Sequence, residues 1–384
     1  MTDAVSLEHI ERAREVVADV VRRTYVFESR YLSRTTGGTI ALKSENLQRT
    51  GSFKLRGALN KIAGLGDGTK GVVAASAGNH GQSVAYAARA RGLAATIFMP
   101  ERAPLAKIAA ARESGAEVVL QGESIEACVE DARAHAETEG LTFIHPYDDR
   151  AVIAGQGTIG LELVEEIEDL AKVLIPIGGG GLASGIATAI KAAQPAVEIV
   201  GIRSQCALAD GIAVKHPGEI TAPMLDELLD DIVTVDENAI ADASMLLLER
   251  TKLVVEGAGA VGVAALMGKQ VSPAETGTTV VMLSGGNIDT GVLADLARHH
   301  ETGRGRRLRI FTKIPDEPGS LAALLTAIGD GGANLIDVDH VREGVGLSVS
   351  QTGVELVMET RGPEHAERLL ELMRGLGYTP DVLS

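Results

Sequence analysis

The sequence predicts an α/β protein built on mostly parallel sheets, followed by a small α+β unit. Three observations predict it. Short apolar runs alternate with helical patterns between residues 71 and 144, and again between 161 and 283, the rhythm of buried parallel strands with helices on both faces. The 45 glycines, set against 5 tyrosines, 5 phenylalanines and no tryptophan, point to tight turns and close backbone approaches. Beyond Arg307 the rhythm changes to strand, helix, strand, strand, helix, strand, the βαββαβ order of a ferredoxin-like domain.

In chain order, Ser6 can cap a helix with apolar positions Leu7, Ile10, Ala13, Val17 and Val20. A strand is expected over 39–45, and a helix from Lys54 with Phe53, Leu55, Ala58, Leu59 and Ile62 on its apolar face. Strands over 71–75, 94–99, 118–120 and 142–144 alternate with helices over 81–91, 105–114 and 125–137. The alternation resumes with a helix over 161–170, a strand over 173–177, a helix over 182–193 and a strand over 199–202. Helices over 238–250 and 260–266 and a strand over 279–283 complete this part. Two α/β regions with the chain crossing between them leave a cleft, the usual place for a ligand. The stretch Gly303-Arg304-Gly305-Arg306-Arg307 marks a linker, giving expected domains 1–306 (with a smaller subdomain about 46–150) and 307–384. In the latter, strands are expected over 308–314, 335–342 and 353–360, with helices over 320–328 and 364–374 and a short terminal strand.

Length and charge bound the function. A chain of 384 residues has ample length for a sizeable core. Its 52 acidic against 36 basic residues, net −16, disfavour nucleic acid and anionic membranes as partners. Cys128 and Cys206 are too few for a disulfide framework or a structural zinc site. Met1 to Val5 lack the basic start and apolar run of a signal peptide, and no apolar run is long enough to span a membrane. A cytoplasmic protein is expected.

Four stretches carry chemistry. In Thr50-Gly51-Ser52-Phe53-Lys54, Gly51 and Ser52 make the helix boundary and Lys54 falls in the first turn. There the positive end of the helix dipole disfavours a cation and eases deprotonation of the amine. A neutral lysine amine is a nucleophile that forms a Schiff base with an aldehyde; an exposed lysine beside Arg56 explains the stretch equally well by itself. Ser76-Ala77-Gly78-Asn79-His80 joins a strand to a helix N-terminus, where amides and polar side chains suit a carboxylate. A plain turn capped by Ser76 or Asn79 explains the same residue types.

Gly178-Gly179-Gly180-Gly181-Leu182 follows a buried strand and opens a helix, so several amides can converge on a phosphate. Gly178, Gly180 and Ala183 also fit the dinucleotide pattern G-x-G-x-x-A, but the acid at the expected distance, Glu198, begins its strand rather than ends it. A second match, Gly155, Gly157 and Gly160, has no convincing strand before it; a tight turn and close helix packing explain it. Ser284-Gly285-Gly286-Asn287 ends a buried strand, which points the hydroxyl into the crevice, though a plain turn accounts for it too.

Taken together and in this order, these motifs resemble the fold-type-II pyridoxal-phosphate enzymes, in particular threonine dehydratases (threonine ammonia-lyases) and their serine-acting relatives. The resemblance runs from the first helix to about Leu296, and the residues after Arg307, with Asp316-Glu317-Pro318-Gly319-Ser320-Leu321, resemble an ACT-type regulatory domain. It implies that Lys54 holds pyridoxal 5'-phosphate as a Schiff base with Phe53 beside it, and that Asn79 bonds the ring hydroxyl. The amides of Ser76, Ala77, Gly78, Asn79 and His80 would hold the substrate carboxylate, those of Gly178, Gly179, Gly180, Gly181 and Leu182 the phosphate, and Ser284 the pyridine nitrogen. A neutral serine there leaves the ring a moderate electron sink, which favours prompt loss of a β-hydroxyl.

Two departures refine the resemblance. Serine racemases of the family carry a second serine where this chain has Ala77, which cannot transfer a proton, so racemisation is disfavoured. Members that bind a divalent cation have a glutamate where this chain has Arg203, and the chain is short from Arg203 to Asp210; no metal is expected. The resulting expectation is conversion of L-threonine to 2-oxobutanoate and ammonia, the entry step toward isoleucine, in a homo-dimer or homo-tetramer. Branched-chain amino acids would act as effectors near Gly319 and Asn334. The alternatives are a serine or serine/threonine dehydratase, an amino-acid sensor with an inactive body and, more distantly, a nicotinamide dehydrogenase.

Overall fold

The computed structural model describes residues 5–214, 216–342 and 346–383, and it divides into two compact units, Met1–Asp289 and Thr290–Ser384. The N-terminal reading of Met1 to Ala4 lies outside the described residues. Among those described, no helix is long and apolar enough to cross a membrane.

The first unit opens with α1 (Leu7–Val17), β1 (Val26–Glu28), α2 (Arg30–Thr36) and β2 (Thr39–Lys43). A short 3-10 turn, Glu45–Leu47, leads toward α3 (Lys54–Ala63). Then follow β3 (Gly71–Ala75), α4 (Asn79–Ala90), β4 (Ala94–Met99), α5 (Leu105–Glu113), β5 (Glu117–Leu120), α6 (Ile125–Glu139) and β6 (Thr142–Phe143). Strands β3 to β6 form a sheet of order β5-β4-β3-β6, parallel throughout. Every residue of β3 is buried, and alternate side chains serve opposite faces. Val72 and Ala74 meet Leu55 and Ile62 of α3, while Val73 and Ala75 meet Cys128 and Ala132 of α6.

The chain then builds α7 (Arg150–Glu166), β7 (Leu170–Pro176), α8 (Gly181–Ala193), β8 (Glu198–Arg203), α9 (Thr221–Leu228), β9 (Asp231–Thr234), α10 (Glu237–Thr251), α11 (Gly257–Met267) and β10 (Thr278–Met282). The larger sheet has order β1-β2-β10-β7-β8-β9. Its pairings are parallel except β1 with β2. Strand β10 lies within it, with Val281 facing Leu174, Val261 and Leu246 and with Val280 and Met282 facing Ile175, Ile186 and Ile159.

Helix α7 departs from the expected pattern. The apolar spacing predicts a helix over 161–170, but α7 runs from Arg150 to Glu166 and contains Gly155, Gly157 and Gly160. Glycine in a helix interior costs about 1 kcal/mol relative to alanine, so the stretch reads as a break. Packing reverses that preference. A Cβ on Gly155 would lie 2.6 Å from the Arg56 carbonyl of α3, on Gly157 2.9 Å from the Gly185 carbonyl of α8, and on Gly160 2.8 Å from the Ile186 carbonyl. The glycines let three helices meet backbone to backbone; the close packing expected for them is present and the tight turn is not. The short elements β1, α2, α9 and β9 have no counterpart in the sequence reading.

The second unit comprises α12 (Thr290–Gly303), β11 (Arg307–Pro315), α13 (Ser320–Asp330), β12 (Asn334–Val341), β13 (Gln351–Glu359), α14 (Pro363–Gly375) and β14 (Asp381–Val382). Its sheet is antiparallel, of order β12-β13-β11-β14, over a core that includes Ile310, Leu324, Leu356 and Leu369. The glycine–arginine stretch after α12 is tied down, since the Thr360 amide donates to the Arg306 carbonyl at 2.8 Å.

Replacing Gly155 by valine should destabilise the first unit by about 1–3 kcal/mol, the cost of overpacking against backbone that cannot yield. The exposed Gly66, with nothing within 4 Å of its would-be Cβ, serves as control. Equal thermal midpoints for Gly155→Val and Gly66→Ala would refute the packing argument.

Candidate active site

Lys54 is the first residue of α3, with Phe53 as N-cap. The helix starts later than Gly51-Ser52 because that segment is occupied in pairing with the loop that follows β10. Ser52 bridges Gly285, the Phe53 amide donates to the Ser284 carbonyl at 3.1 Å, and the Gly286 amide donates to the Gly51 carbonyl at 2.9 Å. Two of the four expected stretches are thereby stitched together. Behind Lys54, the fully buried Arg56 donates to Glu45 at 2.7 and 2.9 Å and to Glu162 at 2.6 and 3.0 Å.

The Lys54 amine donates to the Pro146 carbonyl at 2.9 Å and lies 5.2 Å from the centre of the Phe53 ring. Burial pushes its pKa down to about 8, against the opposing charge of Glu256. Desolvation is thus the chief cause, where the sequence alone offered the helix dipole. The adjacent Tyr147 leads directly to the tetraglycine. A Cβ on Gly179 would overlap the Tyr147 ring, and one on Gly181 would lie 2.9 Å from the Tyr147 carbonyl. Gly180 has φ +93, open to glycine, and a Cβ there would lie 2.8 Å from Thr221 Cβ; one on Gly178 would lie 2.9 Å from Ile212 Cα. The turn is held from outside, with Thr221 Oγ1 donating to the Gly179 carbonyl at 2.6 Å. Asp148 accepts from the amides of Glu219 and Ile220 at 3.0 and 2.9 Å. All four glycines are sterically required, and Gly181 and Leu182 open α8, whose first amides have no acceptor within the helix.

The Ser76 to His80 loop lies between β3 and α4. The Ser76 amide donates to the Phe98 carbonyl at 3.0 Å, and the Gly78 amide to Ser76 Oγ at 3.1 Å. Of the five amides expected to hold a carboxylate, these two are engaged, whereas Asn79 and His80 begin α4 and have no intrahelical acceptor. His80 is buried and its Nε2 is 2.9 Å from the Ile144 carbonyl; burial and the Lys54 charge push it down to about 3, so it is neutral. Ser284, after β10, is buried, and its hydroxyl is 3.5 Å from the nearest acceptor, the Ala258 carbonyl, at the limit of a hydrogen bond.

Two participants have no assigned role in the sequence reading. Glu256, the N-cap of α11, accepts from Asn79 Nδ2 at 2.8 Å. Burial and the charge of Asp210 raise its carboxyl to about 7. Asn287 Nδ2 donates to Asn79 Oδ1 at 2.7 Å and to the Thr50 carbonyl at 2.8 Å. The signal for Glu256 is an acid directly before Gly257-Ala258-Gly259, a helix start in a glycine-rich chain.

Other expected positions lie apart. Arg203 closes β8, and Glu198 opens it and pairs with Lys172 at 3.1 Å. In the second unit Gly319, with φ +95, precedes α13, after the Pro315 end of β11, which pairs with Gln351. Asn334 pairs with Glu359 at the other end of β13, and its amide donates to the Glu359 carboxylate at 3.1 Å. Within one chain Gly319 and Asn334 stand at opposite ends of the sheet.

A lysine amine with a lowered pKa, a glycine turn at one helix N-terminus and a second strand-to-helix turn on a parallel sheet define a class. The chain belongs to the family of pyridoxal-phosphate dependent enzymes, whose family model matches residues 17–285. The fold is the fold-type-II arrangement of two mostly parallel α/β layers. Among its relatives is an L-threonine ammonia-lyase of Geobacter sulfurreducens, 44% identical over 97% of this chain and 98% of that protein. The catabolic L-threonine dehydratase of Escherichia coli K12 is 43% identical over 74% of this chain and 94% of its own. Among solved structures, a T.th. threonine deaminase is 42% identical with a TM-score of 0.69, covering 74% of this chain and 99% of that one. A maize serine racemase is 33% identical with a TM-score of 0.73, covering 78% and 99%.

The residues present fit the family's cofactor. The glycine turn is a cradle that any Cβ would fill, and the Ser284 hydroxyl is buried with no close partner. In cofactor-free protein, modification of Lys54 by an amine reagent should therefore follow a titration near pH 8, well below the value of about 10.4 usual for lysine. Peptide mass spectrometry reads this directly, and a Lys54 that reacts like surface lysines would refute the desolvation argument.

Proposed function

We propose that this protein converts L-threonine to 2-oxobutanoate and ammonia, the water lost in the β-elimination being taken up again in the hydrolysis that frees the ammonia, using pyridoxal 5'-phosphate held on Lys54. The observation that carries the reading is the Lys54 amine, lowered to about 8 by burial and bonded to the Pro146 carbonyl one residue from the tyrosine that packs on the tetraglycine. The extent and identity of the threonine-acting relatives support the substrate. Bound pyridoxal phosphate supplies an aldehyde for the amine and an electron-withdrawing ring that acidifies the α-hydrogen of the substrate.

The protein's own groups do the rest. The amides of Gly178 to Leu182 bind the phosphate at the start of α8, and Ser284 meets the ring nitrogen with a neutral hydroxyl. Asn79 and His80 present amides to the substrate carboxylate at the start of α4. Lys54, once released, removes the α-proton as general base; an amine with a pKa near 8 does so at neutral pH far better than an ordinary lysine. Ala77 has no proton to give on the opposite face, which favours elimination over racemisation. Loss of the threonine methyl is worth only about 1–3 kcal/mol in a pocket, so serine is a second substrate to test. Lys54→Ala should abolish both 2-oxo acid release from threonine and serine and the visible absorbance of the bound cofactor. Persistent turnover in that variant would remove the lysine from the mechanism, and a parent chain silent on both substrates would leave the sensor reading.

The second unit is proposed as an ACT-like regulatory domain in a homo-dimer or homo-tetramer, responding to branched-chain amino acids at the entry step toward isoleucine in the cytoplasm. The βαββαβ order and a groove of about 260 Å³ beside Pro318, Leu321 and His340 support it. Asp316 and Arg342, 3.4 Å apart, also line the groove, opposite charges suited to the ammonium and carboxylate of an amino acid. Gly319 lies at this end, so Asn334 reaches the same ligand only from a second chain. An effector acts by binding one arrangement of subunits better than another, with a coupling of about 1–3 kcal/mol. A chain ended at Asp289 should remain an active lyase, since the Escherichia coli relative covers only 74% of this sequence, and should lose any response to isoleucine and valine. A response equal to that of the full chain would place the effector elsewhere.

A further inference from the structure

Asn79 carries an amide whose two ends differ in chemistry but hardly in shape. Which end faces the ligand decides whether the site offers a donor or an acceptor. The surrounding contacts settle the orientation. The Thr50 carbonyl can only accept, so the Asn287 atom 2.8 Å from it is the amide nitrogen. That nitrogen's other hydrogen goes to Asn79 at 2.7 Å, which fixes the Asn79 oxygen on the Asn287 side. The Asn79 nitrogen is left on the other side, 2.8 Å from a Glu256 carboxylate oxygen. One backbone carbonyl thereby dictates the orientation of two side-chain amides in turn.

Two motif glycines exist to admit this chain of bonds. A Cβ on Gly51, which has φ +72, would overlap Asn287 Oδ1, and a Cβ on Gly285 would overlap Glu256 Oε1 and lie 3.2 Å from Asn79 Nδ2. The backbone backs the same contacts, with the Glu256 amide donating to the Gly285 carbonyl at 3.1 Å. The Asn79 nitrogen stands beside Gly285, the residue after Ser284, so the donor end of the amide is the end next to the proposed ring site.

We propose that Asn287 and Glu256 are positioning residues that lock Asn79 as a hydrogen-bond donor toward the cofactor's ring oxygen, selecting the anionic form of that oxygen over the hydroxyl form. Asn79 Nδ2 has two hydrogens; Glu256 takes one, and the second is the one offered to the ring. A flipped Asn79 would present a carbonyl and demand a protonated ring oxygen. The inference rests on the proposed placing of the cofactor on Lys54, and the test separates the two.

The double variant Glu256→Gln with Asn287→Asp reverses the donor and acceptor on both sides of Asn79, because a glutamine side chain at 256 can donate where the glutamate accepts and an aspartate side chain at 287 can only accept; the Thr50 carbonyl then loses its donor. Saturated with pyridoxal phosphate, it should show a ratio of visible to near-ultraviolet absorbance lower by roughly tenfold, the weight of one charge-assisted hydrogen bond. Glu256→Gln alone keeps an acceptor available and should keep the parent spectrum. A loss of packing would weaken both bands together without changing their ratio. A parent ratio in the cofactor-loaded double variant overturns the proposal. A parent chain without a visible band, or a Lys54→Ala chain that retains it, overturns the lysine assignment and this inference with it. Should the double variant fail to hold cofactor, neutron diffraction from the loaded parent decides. Deuterium on the Asn79 atom facing Glu256 supports the proposal, and deuterium on the atom facing Asn287 overturns it.

Discussion

The fully buried Arg56 guanidinium is the interaction on which the rest of the site depends. It lies two residues beyond Lys54 and donates to Glu45 ahead of the lysine loop, to Glu162 on α7, and to Thr158 Oγ1 at 3.1 Å. Lys43 on β2 adds a bond to Glu162 at 2.6 Å, so two cations answer two carboxylates. Burial alone would push Glu45 up, yet the charge and hydrogen bonds of Arg56 and the Thr24 hydroxyl hold it below the ordinary carboxylate range. Such a cluster contributes little net stability compared with an apolar core. Removing one member, however, strands the others and costs about 3–5 kcal/mol. Its value is positional. It fixes the start of α3 relative to β2 and α7, and with it the stem of Lys54.

Glycine does three different jobs around that anchor. In α7 it lets helices approach to backbone contact, which brings Glu162 within reach of Arg56. In the tetraglycine it clears space beside Tyr147 and Thr221. At Gly51 and Gly285 it makes room for the amide and carboxylate that orient Asn79. The high glycine count is visible in composition, but only contacts distinguish a packing glycine from one that shapes a binding turn.

The same limit explains what is legible in the sequence. The strand 71–75 is unambiguous because every residue is apolar or small and buried on both faces, and in β4 every residue after the exposed Ala94 is buried. The N-terminal part of α7 escapes the pattern because its glycines signal a break by propensity while tertiary packing favours the helix. Lys54 stands out through its place at a helix start, yet the larger cause of its lowered pKa is burial beneath the loop at Pro146, a contact 92 residues away. Glu256 does not stand out because an acid before a helix is ordinary, and only its 2.8 Å contact with Asn79 gives it meaning.

Charge is distributed with a consistent logic. The chain carries net −16, but the groups around the Lys54 amine are close to neutral. His80 and His145 are driven down to about 3 and 4 chiefly by burial, and Glu256 is raised to about 7. The charges of Arg56, Glu45 and Glu162 behind the lysine are paired with one another. What remains facing the crevice is a set of amides and hydroxyls, one poorly solvated amine and one poorly solvated carboxyl. Fixed dipoles of that kind can hold a phosphate and a carboxylate without a permanent cation that would compete for them. Burial thus brings both the Lys54 amine and the Glu256 carboxyl toward neutral pH. Their positions differ, since Glu256 accepts from the Asn79 side chain while the amine donates to a backbone carbonyl that a cofactor can replace. In the proposed mechanism, proton transfer at the reacting carbon therefore falls to the lysine.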